Sequence, residues 1–397
     1  MAQRVKPRIT QENRAPFFFF VLVLLLLLII GLSSLFSASY VYALYNNDNS
    51  FYFIIRQSIF AGIGLVAAVA LALIDYHVWF RFSYVLYVLA LLLLGVARIA
   101  PALNGVHRWI AIGPITFQPS DFAKFAIIVF LAMDIDRNHH KMSQNPEPGF
   151  LNFFITGSRG LFLKEVLLLG LVCGLVFIEP HLSGTVLIGL IGMAMLFVGG
   201  TRLRHLIVLA ALGVFVVFIA IGPLHYEADR IAVWQDPLGI FNSGEKGRNM
   251  AWQTVQSLYA IGSGGLFGLG PGASRQKHLF LPEPQNDFIF AIICEEWGFI
   301  GATVIILLFA ALVICGIVIA VRAKDKFGSM LAVGISAQVG IQVLLNIAVV
   351  SNAFPNTGIG LPFFSYGGTS MLMLLGEMGV LLSVCLHSTT QKTIENE

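Results

Sequence analysis

Apolar residues in this chain gather into long runs parted by short polar breaks, a pattern that predicts ten transmembrane helices. The first run covers Pro16 to Phe36, and the others fall at roughly 55–74, 83–98, 119–133, 163–178, 183–200, 203–222, 287–321, 328–351 and 367–387. A basic tail with Arg4, Lys6, Arg8 and Arg14, followed by Ser37, Ala38 and Ser39, imitates a secretory signal and its cleavage site. About 20 uninterrupted apolar residues exceed a signal core and match a bilayer, so this run is expected to stay as a span.

Basic residues orient the bundle. If the spans alternate, the N-tail, Arg81, Arg137, Lys141, Arg159, Lys164, Arg202, Arg204, Arg322, Lys324, Lys326 and Lys392 share one side, most of the 24 Lys and Arg residues. That side is the cytoplasm, and both termini lie there. The expected layout is one all-α polytopic membrane domain over residues 1–397. It has cytoplasmic tails at 1–15 and 388–397, a cytoplasmic loop at 134–162 and a large extracellular loop at 223–286, between helices 7 and 8. No repeat of 20–50 residues is visible.

Composition sharpens the class. Hydrophobic residues make up 57% of the chain against 11% charged, with mean hydropathy +0.83, which no soluble domain of this length could cover with polar surface. A net charge of +3 spread over many loops, without a basic block, argues against a nucleic-acid partner. Cys173, Cys294, Cys315 and Cys385 sit in apolar runs without CxxC spacing and read as small core residues.

Chemistry concentrates where polar loops meet helices. Asp287 stands where the long loop enters an apolar run, and a carboxylate there is costly to desolvate, so its default reading is functional. The loop before it offers Arg248, Gln256, Arg275 and Lys277 and six glycines between Gly262 and Gly272. Those glycines could wrap a phosphate or cap a re-entrant segment, with a structural turn favoured; they match no nucleotide-binding pattern. Asp121 and Lys124 share a helix face and can neutralise each other, as a structural pair or as part of a site. Arg108 beside Trp109 reads as an interfacial anchor or as a phosphate clamp with an aromatic wall. Thr357, Ser365 and Tyr366 belong to an uncharged, hydroxyl-rich loop suited to capping a helix or to bonding sugar. Glu295 lies about 12 Å along the helix from Asp287 and about 80° around it, so it is expected to continue a polar path from Asp287. Glu296, on the opposite face, is expected to pair with another helix, and Glu377 lies deeper in the bilayer.

Three segments carry a resemblance: NGVHRWIAIGPITFQPSDFAKF, beginning at Asn104 and Gly105; QSLYAIGSGGLFGLGPGASRQKHLFLPEPQNDFIFAIICEEWGFIG; and NTGIGLPFFSYGGTS. Together, in this order and topology, they resemble the SEDS family (shape, elongation, division and sporulation), and more its division and sporulation branch (FtsW, SpoVE) than its elongation branch (RodA). The resemblance implies a peptidoglycan glycosyltransferase that polymerises lipid II at the outer face of the cytoplasmic membrane. It implies a class B penicillin-binding protein and other divisome membrane proteins as partners, and a place at the division septum. The family's catalytic aspartate falls on Asp287 and its acid–lysine pair on Asp121 and Lys124. Three departures stand out: Asp121 where glutamate is usual, Gln285-Asn286 where the residue before the aspartate is usually threonine, and Glu179-Pro180-His181 in place of a Gln-Pro-Asp motif.

The chemistry implied is displacement of polyprenyl diphosphate from an anomeric carbon by a sugar hydroxyl. Asp287 is expected to take the proton, with its pKa raised by partial desolvation, or else to hold a divalent cation, Mg or Mn. Arg108, Arg248, Arg275 and Lys277 are expected to face the diphosphate, and no nucleotide or organic cofactor is expected. Two other classes compete. A lipid II flippase needs alternating access and often shows repeat symmetry, whereas a divisome scaffold needs no carboxylate at Asp287.

Overall fold

The structure is a computed structural model of the chain and describes residues 11–102, 107–113, 115–142, 161–179, 181–221 and 228–388. Asn104, Gly105, Pro180 and most of the expected 134–162 loop lie outside the described residues.

Ten helices coincide with the ten apolar runs: α1 (Gln11–Asn47), α2 (Tyr52–Leu73), α3 (His77–Ile99), α4 (Pro119–Met142), α5 (Leu161–Ile178), α6 (Leu182–Val198), α7 (Leu203–Ile221), α11 (Ile289–Arg322), α12 (Lys326–Val350) and α13 (Gly368–His387). Six of them, α1, α2, α3, α11, α12 and α13, are long and apolar enough to cross a membrane by length and composition. Three further helices lie in the long loop: α8 (Ala228–Gln235), α9 (Pro237–Asn242) and α10 (Glu245–Gly264). One small hairpin, β1 (Ile110–Ile112) with β2 (Ile115–Phe117), pairs antiparallel ahead of α4.

Helix ends depart from the hydropathy pattern where the chain holds no breaker. Residues 37–47 contain neither Gly nor Pro, so α1 continues beyond Phe36 to Asn47. Likewise α4 runs past Met133 to Met142, taking the first part of the expected cytoplasmic loop into helix.

The centre of the bundle is α4, α12 and α13. Residues 125–133 of α4 are all buried, as are residues 374–386 of α13. α2 packs on α13, α3 on α4, α6 on α12, and α1 and α10 on α11. Apolar side chains exposed on α2, α3 and α7, such as Val66, Leu92 and Val214, form the outward surface that lipid covers.

The 287–321 run is not one continuous helix. Gly298 has φ 66° and ψ −169°, and α11 is interrupted there. A turn from the glycine-rich run fills the gap. Leu269 N–H donates to the Glu295 carbonyl at 2.9 Å and Gly270 N–H to the Glu296 carbonyl at 3.0 Å. In the other direction Phe299 and Ile300 donate to the carbonyls of Gly265 and Leu266 at 2.9 and 3.2 Å. The break thus has its freed backbone groups satisfied by protein, as a bilayer requires.

A side chain at Gly298 would be strained by that backbone conformation and driven into Gly268 and Leu266. Gly298→Ala is therefore expected to destabilise the fold by at least about 1–3 kcal/mol. Thermal unfolding in detergent should show a lowered midpoint; an unchanged midpoint would contradict the break.

Candidate functional site

The site is built where one set of helix ends converges. α2, the β1–β2 hairpin, α4, α6, the long loop and the α12–α13 loop line one cavity of about 960 Å³. Arg56, Arg108, Lys124 and Arg230 bring positive charge to its wall, and Asp121, Asp287 and Glu377 bring carboxylates.

Asp287 ends the long loop, two residues ahead of α11. Its carboxylate lies against the α12–α13 loop at Gly358 and Gly360, where a methyl group would come within 3.3 Å of Oδ2 and 3.8 Å of Oδ1, respectively. Gly358 takes φ +72°, so glycine serves both the turn and the close approach. Burial pushes the Asp287 carboxyl up to about 6, helped by the nearby Glu283 charge and opposed by Arg230 and Arg108.

The loops around it are tied by backbone bonds. Tyr366 N–H donates to the Gln285 carbonyl at 2.8 Å, and the Ser365 hydroxyl to the Asn286 carbonyl at 2.7 Å. Thr357 is buried, and its carbonyl accepts the hydroxyl of Ser183 on α6. The Tyr366 ring stands edge-on to Phe53 with centroids 4.8 Å apart, and its phenol meets Arg56.

Deeper in the cavity Lys124 pairs with Asp121 at 2.8 Å, both side chains largely buried. The Ser370 hydroxyl, from α13, donates to Asp121. That contact accommodates the shorter acid by bringing a hydroxyl to it. Arg108 Nε donates to the Glu179 carbonyl at 3.3 Å, which sets the guanidinium beside the cavity next to Trp109. The hairpin holds that segment in place, with the Thr369 hydroxyl bonded to the Thr116 carbonyl.

Eight of the residues singled out from the sequence therefore line one cavity: Arg108, Trp109, Asp121, Lys124, Asp287, Thr357, Ser365 and Tyr366. Four stand elsewhere. Arg248 is exposed, with its guanidinium 5.7 Å from the Phe241 ring; Gln256 is buried in α10 without lining the cavity. Arg275 is exposed and gives its backbone N–H to Glu295 at 3.0 Å. Lys277 is turned inward, paired with Glu296 at 2.9 Å and bonded to Ser37 of α1 at 3.1 Å.

Glu295 does not continue a path from Asp287. It receives the Ser274 hydroxyl and the Arg275 and Gln276 amides, and so anchors the long loop. Glu296 does meet another helix, through Ser37. Cavity residues that the sequence reading passed over include Arg56, Arg230 and Gln342, and His181, noted only as a departure from a motif, lines it too. Arg56 had a signal, being the one charge in an apolar helix.

For a divalent cation, the loop junction offers Asp287, with the Glu283 carboxylate near enough to act on it. Among the described residues no three His, Cys, Asp or Glu side chains gather into a cage. That donor set fits Mg-type binding, in which one carboxylate shares the ion with phosphate oxygens.

The fold and cavity define a multi-pass membrane protein with a charged site at one end of its bundle. Residues 17–390 match the family model described as cell cycle protein, FtsW/RodA/SpoVE, and the chain belongs to that family. It is 42% identical to stage V sporulation protein E of Bacillus subtilis strain 168, over 90% of this chain and 94% of the relative. It is 36% identical to a probable peptidoglycan glycosyltransferase FtsW of Trichlorobacter lovleyi, over 89% of each. Among solved structures, a chain from work on a peptidoglycan synthase complex that coordinates polymerization and crosslinking matches with TM-score 0.74 and 25% identity, covering 93% of this chain and 97% of the other. Rod shape determining protein RodA of Thermus thermophilus matches with TM-score 0.64 and 25% identity, covering 93% and 96%.

The placement of Lys277 has a measurable consequence. Lys277→Met leaves the Glu296 carboxyl buried without its cation, which is expected to cost about 3–5 kcal/mol of stability. Adding Glu296→Gln should recover much of that loss. Unfolding midpoints of the single and double variants check it: a single variant as stable as wild type would contradict the buried pairing.

Proposed function

We propose that this chain is a peptidoglycan glycosyltransferase that polymerises lipid II, with its cavity on the outer face of the cytoplasmic membrane and both termini inside. The observation that carries the reading is the Asp287 carboxylate, raised toward neutrality at a loop junction and facing a cavity walled by Arg56, Arg108, Lys124 and Arg230. The family membership and the names of the relatives support it. A class B penicillin-binding protein that crosslinks the product, other divisome membrane proteins and a place at the septum complete the proposal.

In the reaction, the acceptor sugar hydroxyl gives its proton to Asp287 and its oxygen bonds to the donor's anomeric carbon. The bond from that carbon to the diphosphate oxygen breaks, and the electron pair leaves with undecaprenyl diphosphate, inverting the centre. A base with a pKa near 6 is largely ionised at neutral pH and still accepts a proton in the transition state. Arg108 and Arg230, the cations that act on Asp287, also line the cavity where the diphosphate charge would grow. Where a divalent cation binds, Asp287 would hold it, and the ion would offset the same charge. Diphosphate is a good leaving group, so no second carboxylic acid is needed to protonate it.

Labelled lipid II supplied to the purified chain with its cognate transpeptidase tests the reading. Asp287→Asn is nearly isosteric and should lower strand synthesis by about 10²–10⁴-fold while folding and partner binding persist. Strands formed at the wild-type rate would exclude Asp287 as the base; an active preparation that makes none even in the wild type would favour transport or scaffolding. Because the protonated carboxyl cannot act as a base, the wild-type rate should rise with pH through about 6 and level off above it. A rate flat from acid to neutral pH would contradict the assignment.

A further inference from the structure

Three amide side chains, Gln338, Gln342 and Asn346, sit four residues apart on α12. That spacing returns to nearly the same helix face about every 6 Å, so they form a ladder about 12 Å long. Each rung donates to an element around the site, and two of them to the same loop. Gln338 Nε2 reaches Glu377 Oε2 on α13 at 2.6 Å, and Gln342 Nε2 reaches the Gly360 carbonyl at 2.9 Å. Asn346 Nδ2 donates twice, to the Asp287 carbonyl at 2.7 Å and to the Ile359 carbonyl at 2.6 Å.

Asn346 is wholly buried, and both of its partners are carbonyls. Carbonyls only accept, so the side chain must present its nitrogen and spend both hydrogens on them. One amide thereby joins the loop that ends in Asp287 to the loop whose Gly358 and Gly360 face the Asp287 carboxylate. Gln342, one turn away, fixes the second loop again at Gly360. Removing the Asn346 amide would take a donor from the buried Ile359 carbonyl and the part-buried Asp287 carbonyl, and removing that of Gln342 a donor from the part-buried Gly360 carbonyl, which frees the two loops to shift against each other.

We propose that Asn346, supported by Gln342, is a positioning residue that sets the Asp287 backbone at a fixed distance from the 358–360 loop and so aims its carboxylate into the cavity. The inference rests on Asp287 being the base of the proposed reaction. The side chain itself touches no substrate; it acts through the main chain of the residue that does. A misplacement of about 1 Å at a reacting group is enough to cost about 10²-fold in rate.

The test uses the full-length chain with its transpeptidase partner, labelled lipid II, and the variants Asn346→Leu, Gln342→Met and Asp287→Asn, with folded protein quantified for each. Asn346→Leu is expected to lower kcat by about 10²-fold and Gln342→Met by less, with KM held within about twofold. A loosened loop admits water to Asp287, which is otherwise faced by Glu283, Arg230 and Arg108. The acid limb of the pH–rate profile should accordingly move to lower pH in Asn346→Leu, a change that mere loss of folded protein does not produce. Wild-type kcat in both amide variants would overturn the role, as would a fall in kcat that matches lost folded protein with the acid limb unmoved. If Asp287→Asn stays active, the base assignment fails and takes this inference with it. If Asp287→Asn is inactive while Asn346→Leu is fully active, the positioning role alone fails.

Discussion

A helix interrupted inside a bilayer has to pass its freed amides and carbonyls to other protein groups, since lipid offers none. The break at Gly298 meets that demand by taking the 265–270 turn into the gap, where backbone bonds run in both directions. Docking the turn brings Ser274 onto Glu295 and Lys277 onto Glu296, supplying the latter with the cation that a buried carboxylate needs. The stretch that follows α10 is thereby fixed. Further on, the Trp252 indole holds the Phe280 carbonyl at 2.6 Å, and Leu281 is fully buried, so the chain reaches Asp287 with little freedom left.

The same economy governs the mouth of the cavity. Asp287, Thr357, Ser365 and Tyr366 lie on loops, yet each loop is bonded to another element: Tyr366 to Gln285, Ser365 to Asn286, Thr357 to Ser183, and Asp287 with Ile359 to Asn346. Loops cross-tied in this way hold the carboxylate in place at the cavity wall. Charge is arranged to match. Arg56, Arg108, Lys124 and Arg230 surround a cavity in which Asp121 already compensates Lys124, so the net positive charge left suits an anionic head group.

Much of this was legible in the sequence because membrane length is a strong filter: ten apolar runs gave ten helices. Asp287 was legible for a related reason, as a lone acid at a helix mouth. Hydropathy says nothing of caps and breaks, however, so the ends of α1 and α4 and the interruption at Gly298 escaped it. Arg248, Arg275 and Lys277 were grouped with the ligand contacts by charge and side of the membrane alone. Lys277 instead satisfies Glu296, 19 residues later, and only the docked turn makes that pairing visible. The α12 amides carry no signal in the sequence, because the partners of Gln342 and Asn346 are backbone carbonyls that no motif records.

The departures from the family pattern are absorbed locally. Asp121 is shorter than the usual glutamate, and the Ser370 hydroxyl meets it. His181 stands where the motif carries an acid; burial and the neighbouring Arg108 hold its pKa down to about 3, so it adds no charge beside Asp121 and Lys124. Asn286 replaces a hydroxyl residue, and its amide goes to Glu283 Oε2 at 2.8 Å while its carbonyl takes the Ser365 hydroxyl. The carboxylate the amide meets is the one whose charge helps raise Asp287. A threonine side chain, one atom shorter and without an amide, would not make the same tether. In this chain the residue before the acid is therefore bonded to a neighbouring carboxylate whose charge acts on Asp287.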